Sequence, residues 1–347
     1  YCAILNKLKI KKEIVMKELE KLFKLKEHGT DVKTEIIAGV TTFMTMAYIL
    51  AVNPSVLGAA GMDTGAVFTA TAIASFLGTL LMALFANYPF ALAPGMGLNA
   101  YFAYTVVLNM GYSWQTALAA VFIEGLVFIL LSVTNVREQI FNTIPKNLKS
   151  AVSVGIGLFI AFIGLQNAKI VIGGATLVSL FSLKDYNEVN QVSATMNDVG
   201  ISVMLALAGI ILTGALVAKK VKGNILLGIL ITWILGIVCQ LTGLYRPNPE
   251  LGFYNLLPDF SRGIVPPDMS PIFMKFDFSG VFTLKFVAVI FAFLFVDIFD
   301  TIGTLIGVST KAKMLDKDGK LPKIKGALLA DAVATTAGAA LGISTVT

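Results

Sequence analysis

Asp297 and Asp300 stand in Phe291-Ala-Phe-Leu-Phe-Val-Asp297-Ile-Phe-Asp300-Thr301-Ile-Gly303-Thr304, a stretch otherwise apolar enough to cross a bilayer. A charged side chain at the centre of a hydrocarbon-embedded helix costs about 2.5 kcal/mol or more, which makes such residues candidates for a substrate or ion pathway. Their i, i+3 spacing puts the two carboxylates on one helix face, beside the hydroxyls of Thr301 and Thr304. Such a stripe can accept hydrogen bonds from N–H donors or take up a cation. A structural hydrogen bond to a neighbouring helix is the competing role. Glu124 interrupts another apolar run and poses the same alternatives, whereas Asp331, near one end of its run, reads as structural.

A second constellation is Asn87-Tyr-Pro89-Phe-Ala-Leu-Ala-Pro94-Gly95-Met-Gly97-Leu-Asn99-Ala-Tyr-Phe. Two prolines and two glycines precede room for only about a dozen helical residues, or ~18 Å at 1.5 Å per residue, too short for a ~30 Å hydrocarbon core. The crossing is therefore completed by extended chain over Phe90–Ala93, and the helix starts near mid-membrane with free backbone N–H groups. Extended backbone at that depth is tolerated only where protein or a cavity supplies partners, and a half-helix with its positive dipole end in the midplane is a binding device in transporters. A cytoplasmic hairpin followed by a short tilted helix is the alternative. Asn99, at the start of that helix, offers both a donor and an acceptor.

These candidates need helices to hold them, and the composition supplies them. Hydrophobic residues make up 56% of the 347, charged residues 14%, and the mean hydropathy is +0.81. The chain therefore reads as an all-α polytopic membrane protein. Apolar stretches of near-spanning length fall at 36–56, 67–86, 116–134, 149–166, 199–218, 225–244, 281–308 and 326–342, with the broken one at 90–109. None alternates apolar with polar as barrel strands do. Of 27 Lys and Arg, 21 lie between Lys7 and Lys33 or in 135–149, 219–222 and 311–325. These segments share one side if nine spans alternate, which predicts a cytoplasmic N-terminus and external loops at 167–198 and 245–280. The net charge of +6 is thus topology rather than a nucleic-acid footprint.

Cys2, Cys239 and the single His28 offer no disulfide framework or metal set. No HExxH or GxSxG occurs, so a membrane-embedded enzyme lacks its machinery. No cofactor is expected. Residues 1–34 form a basic cytoplasmic leader without a cleavable signal; residues 4–27 are charged and weakly amphipathic, suited to the membrane surface or to water. The Lys11-Lys12-Glu13 run before Met16 suggests translation from Met16, and the break after Thr347, inside a motif, suggests a fragment.

An internal repeat accompanies this layout. Ala70-Thr-Ala-Ile-Ala74-Ser-Phe-Leu-Gly78-Thr resembles Ala330-Asp-Ala-Val-Ala334-Thr-Thr-Ala-Gly338-Ala at an offset of 260, and Thr41 then falls on Thr301. A seven-span unit has an odd number of crossings, so its second copy enters from the opposite side as an inverted repeat.

Pro94-Gly-Met-Gly97-Leu-Asn99-Ala-Tyr-Phe, Phe295-Val-Asp297-Ile-Phe-Asp300-Thr-Ile-Gly303-Thr, Gly342-Ile-Ser344-Thr-Val-Thr347 and Thr34-Glu-Ile-Ile-Ala-Gly39-Val-Thr-Thr-Phe-Met-Thr-Met-Ala-Tyr48 resemble the azaguanine-sensitive hypoxanthine/guanine/adenine permeases, a branch of the nucleobase/cation symporters. The resemblance covers nearly the whole chain from Met16. It implies fourteen spans in two inverted seven-span repeats, with about nine and the start of the tenth present here. Short extended strands would break spans 3 and 10, with the base held between them. It divides the chain into a transport core (35–134 and 281–347) and a gate or scaffold (135–280), through which a homodimer is a candidate assembly. Carried over by motif, the base is bound by Asp297, Asn99, Gly97, Thr301, Ser344 and Thr345. Asp300 and Glu124 are the candidates for coupling to H⁺ or Na⁺. Ile343 stands where the family pattern has Thr, and the family's tenth-span Glu falls beyond Thr347. The expected activity is import of purine nucleobases across the cell membrane by cation symport with alternating access. An anion or other small-solute transporter of the same fold is the alternative; it would place a positive or neutral group at Asp297, and no Lys or Arg falls in the predicted mid-membrane regions.

Overall fold

The computed structural model describes residues 18–258, 265–281, 283–317 and 320–347; the expected start at Met16 and residues 1–15 before it lie outside them. Helices dominate, and seven are long and apolar enough to cross a membrane. Of the nine expected spans, the third is a half-helix. The fifth lies in α7 (Lys146–Asn167), of which Val154–Asn167 is an apolar helix shorter than a full span.

The described residues up to Ser153 form one compact unit with Pro267–Thr347. Its first span breaks into α1 (Val32–Met46) and α2 (Ile49–Ala59). Pro54 lies inside α2 and cannot donate to the carbonyl four residues back. The chain around Ala47–Val52 tightens into i→i−3 bonds, Leu50 N to Ala47 O at 3.2 Å and Ala51 N to Tyr48 O at 3.0 Å. Asp31 caps α1 by accepting from Thr34 N at 2.7 Å, and that bond holds its carboxyl below the usual range. Ahead of it, Phe23 and His28 touch the start of the extended segment: Asn87 Nδ2 donates to Phe23 O at 3.1 Å and lies 3.3 Å from His28 Nε2.

The centre of this unit is α3 (Thr64–Phe85), α5 (Trp114–Val133), α11 (Leu284–Lys311) and α12 (Ile324–Leu341). Lipid tails are as apolar as leucine, so helices in a bilayer associate through close backbone approach, which favours small residues. Ala117, Ala119 and Ala120 of α5 and Ala327, Ala330, Ala332, Ala334 and Ala339 of α12 are buried accordingly. α6 (Val136–Thr143) follows α5 after a reversal at Asn135, whose φ is +62°.

Both expected strands are present. Asn87–Gly95 carries no helix and leads into α4 (Met96–Ala100), which continues as a π-helix over Tyr101–Asn109. The end of the chain runs antiparallel to it with Pro94 opposite Val346. Ala93 and Thr347 exchange both backbone bonds, at 3.3 and 3.1 Å, and Gly95 N donates to Thr345 O at 3.2 Å. Pro94 thus occupies the non-hydrogen-bonded position, where its missing N–H costs nothing. The glycines paired by the expected repeat both face the strands: a Cβ on Gly78 would lie 3.1 Å from Leu92 and 3.2 Å from Val346, and one on Gly338 would lie 2.8 Å from Val346. The two repeat-related glycines let the strand pair approach α3 and α12. Thr41 and Thr301 do not correspond in environment, since Thr41 is exposed and bonds back to Ile37 O while Thr301 is buried.

Val154–Pro266 forms the second unit. It holds the apolar part of α7, a hairpin of β1 (Val171–Gly173) and β2 (Val178–Leu180) in antiparallel register, α8 (Leu183–Asn190), α9 (Ile201–Ala218) and α10 (Asn224–Leu241). The hairpin is a small departure from an all-α chain, lying in a predicted external loop. Asp198, one turn before α9, accepts from Thr195 N and Val199 N at 2.6 Å and from Asn248 Nδ2 at 3.2 Å. α9 and α10 interlock reciprocally: a Cβ on Gly209 would lie 2.6 Å from Thr232 Oγ1, and one on Gly228 would lie 2.9 Å from Thr213 Cβ.

α12 ends at Gly342, φ +91°, with Gly342 N bonded to Ala339 O and Ile343 N to Gly338 O, the Schellman arrangement that turns a helix directly into extended chain. A Cβ there would also lie 2.6 Å from Ile272 O. Gly342→Ala is expected to lower stability by at least ~1–3 kcal/mol, read as a fall in the thermal unfolding midpoint of purified protein. Gly39→Ala, mid-helix with nothing within 4 Å, is expected to leave it unchanged or raise it.

Candidate functional site

The strand pair delivers α4 into the interior of the first unit. Gly95 is its N-cap residue without a side-chain cap, so the first-turn N–H groups, Gly97 among them, are available as donors. A Cβ on Gly95 would lie 2.9 Å from both Asp300 Oδ2 and Thr347 Oγ1 and 3.5 Å from Thr345 Oγ1. The structure therefore gathers Asp300, Thr345 and Thr347 around the start of the half-helix. Asp300 accepts a hydrogen bond from the Thr347 side chain.

One turn before Asp300 on α11, Asp297 is fully buried and no N–H or hydroxyl group donates to either carboxylate oxygen. Glu124 of α5, equally buried, lies with its carboxyl group in hydrogen-bonding reach of that of Asp297. Asn99 donates to Asn53 Oδ1, and Asn53 donates to Thr71 Oγ1 at 2.7 Å. This chain holds the Asn99 amide while its Oδ1 stays without a partner. Ser344 Oγ and Thr345 Oγ1 are buried and unpartnered as well.

Thr301 takes a different place. Its hydroxyl accepts from Arg137 Nη2 at 2.9 Å and donates to Asp331 Oδ2 at 3.1 Å, so it belongs to an ion pair rather than facing a ligand. Thr304 bonds back to Asp300 O at 2.9 Å within its own helix. Arg137, expected in a basic cytoplasmic segment, is buried against the core. Its side chain is 2% exposed, reached because the left-handed turn at Asn135 folds α6 back against the core. Nη2 lies 2.6 Å from Asp331 Oδ2 and 4.0 Å from Asp297 Oδ2, Nη1 donates to Leu328 O at 3.0 Å, and the guanidinium stacks 4.0 Å from the Phe128 ring centre.

Sequence reasoning missed Arg137, Asn53 and Thr71. Arg137 resembled a positive-inside loop residue, yet four carboxyl groups assigned to spans call for a buried cation, and Arg137 follows directly on one of those spans. A cavity of about 610 Å³ runs beside the extended strand, lined by Tyr88–Ala93 and faces of α1 and α3. None of the predicted site residues lines it.

The assembled site offers buried acceptors (Asp297, Glu124, Asn99 Oδ1), hydroxyls that can donate or accept (Ser344, Thr345) and backbone donors. Such groups can pair with the polar edge of a ligand and can hold a proton. Among the described residues no group of three or more His, Cys, Asp or Glu could hold a metal ion. Residues 33–347 match the profile of the Permease family, Xan_ur_permease. The chain belongs to that family. As a member it is a transporter rather than an enzyme, integral to a membrane. It is 40% identical to the adenine permease AdeP of Escherichia coli over 95% of this chain and 67% of that protein. It is 44% identical to the guanine/hypoxanthine permease PbuO of Bacillus subtilis over 94% and 70%, and 42% identical to PbuG, a guanine/hypoxanthine permease of the same organism, over 95% and 71%.

Thr301→Val of this permease removes two hydrogen bonds while leaving Arg137 and Asp331 paired. It is expected to cost ~1–3 kcal/mol as a lower thermal midpoint, whereas Thr304→Val, losing only a bond within its own helix, stays close to the parent.

Proposed function

We propose that this chain provides the substrate site of a purine nucleobase importer that couples entry of hypoxanthine, guanine or adenine to a cation, in the first instance a proton. One observation carries the reading. Among the described residues eight have a buried side-chain polar atom without a partner, and five of them are Asp297, Glu124, Asn99, Ser344 and Thr345. Native interiors contain few such atoms, and each asks for an explanation; a polar ligand at the crossing of the strands supplies one. The names of the adenine and guanine/hypoxanthine relatives indicate its class.

A purine edge alternates ring N–H donors with carbonyl or imine acceptors. Asp297 and Asn99 Oδ1 accept from the donors, while the Ser344 and Thr345 hydroxyls and the first-turn N–H groups around Gly97 serve the acceptors. Glu124 is the favoured coupling group: with its carboxyl against Asp297 and no other donor in reach, one proton between them makes one oxygen a donor and satisfies the other. The proton enters with the base and leaves with it. Asp300, already bonded by Thr347, is the alternative, and Na⁺ is the alternative ion.

The transport core carries this site and a gate works against it in alternating access; the stretches 135–153 and 267–280, expected in the gate, pack with the core instead, and the inverted repeat is supported by the like packing of Gly78 and Gly338 on the strand pair. The basic segments orient the N-terminus to the cytoplasm of the cell membrane, and dimerisation through the gate accompanies this scheme. An anion transporter is disfavoured: the buried cation has its Nη2 protons committed to Asp331 and Thr301, and carboxyl groups outnumber it.

In cells lacking endogenous purine uptake, the full-length protein is expected to take up labelled hypoxanthine, with inhibition by excess adenine or guanine and none by uracil or sulfate. Inhibition by sulfate alone would replace this reading with anion transport. Asp297→Asn should abolish uptake with the protein still present in the membrane.

A further inference from the structure

Arg137 stands outside every role assigned so far, yet it is the basic group drawn into the acidic cluster. Its Nη2 carries two protons, and both are committed, one to Asp331 Oδ2 and one to Thr301 Oγ1. Asp297 Oδ2 lies 4.0 Å from the same nitrogen, near enough to feel its charge but without a proton from it. Arg137 therefore takes up neither Asp297 oxygen, and the group that lies against this carboxylate is the Glu124 carboxyl.

We propose that Arg137 is a positioning residue for substrate binding: held by Asp331 and Thr301, it supplies the counter-charge that lets Asp297 wait as an unliganded acceptor. This rests on the purine reading of the site above. A direct Arg137–Asp297 bond would compete with the substrate's N–H. With no cation there, nothing would offset a negative charge on Asp297 beside Glu124 and Asp331. Asp331 and Thr301 are therefore the clamp that sets the distance, Thr301 from the same helix as Asp297 and Asp331 from α12. The fixed fork of guanidinium donors suits this better than an ammonium, and Leu328 O and the Phe128 face complete its cradle.

A purely structural ion pair and a counter-charge make different predictions for the double variant Arg137→Gln/Asp331→Asn, which removes both charges and leaves two amides able to bond each other. Calorimetric binding of hypoxanthine and thermal unfolding are measured on the purified full chain. The double variant is expected to keep its unfolding midpoint close to the parent while its Kd rises about tenfold or more. Arg137→Lys, which keeps the charge and loses the fork, should bind more tightly than Arg137→Gln even if both are less stable. A double variant with the parent's Kd overturns the inference and leaves Arg137 as the structural partner of Asp331. So does an Arg137→Lys protein that binds no better than Arg137→Gln, which covers the case of a double variant that does not fold. Absence of binding by the unmodified protein instead overturns the purine assignment, and this inference with it.

Discussion

An unpaired backbone amide in hydrocarbon costs several kcal/mol, and from Asn87 to Gly95 this chain gives up helical hydrogen bonding inside a membrane domain. The rest of the first unit follows from how that debt is met. The last residues supply the missing partners over Ala93–Gly95, Thr79 Oγ1 accepts from Leu92 N at 3.0 Å, and Thr335 Oγ1 donates to Val346 O at 2.9 Å. The two helices that flank the strands must then be smooth, which is why Gly78, Gly338 and a series of alanines face inward. The half-helix starts where it does because the strand pair ends there, and its unsatisfied N–H groups fall among Asp300, Thr345 and Thr347.

The second constraint is charge. Among the described residues of the first unit, four carboxyl groups are buried with a single guanidinium among them. Removing one partner from a buried ion pair strands the other at a cost of several kcal/mol, so α6 has to fold back at Asn135, and the segment after the fourth span becomes part of the core. The polar cluster fixes the angular setting of α5, α11 and α12 more sharply than their alanine faces alone could, because each bond in it has a length and a direction.

Much of this was legible in the residues. Proline and glycine positions announced the broken third span, and the depth of Asp297 and Glu124 in apolar runs announced a buried polar cluster. Hydropathy could not report Arg137, since a residue three places beyond an apolar run looks like surface until a left-handed turn redirects it. Nor could spacing tell that the Thr301 hydroxyl faces an ion pair and the Asn99 amide an asparagine on another helix: one helix face is wide enough for both outcomes, and only packing chooses. Asn53 was hidden for the opposite reason, its context next to Pro54 reading as a helix kink rather than as a hydrogen-bonding partner.

The reciprocal threonine and glycine contacts between α9 and α10 bear on motion. Each hydroxyl-bearing side chain sits in the notch left by the other helix's glycine, four residues along in opposite directions, so sliding one helix past the other by a turn would drive a threonine into backbone. The pair resists shear in both directions and tolerates being carried as one piece. Whatever elasticity the second unit contributes must therefore reside in its ends and connections, leaving this two-helix block to act as a stiff lever.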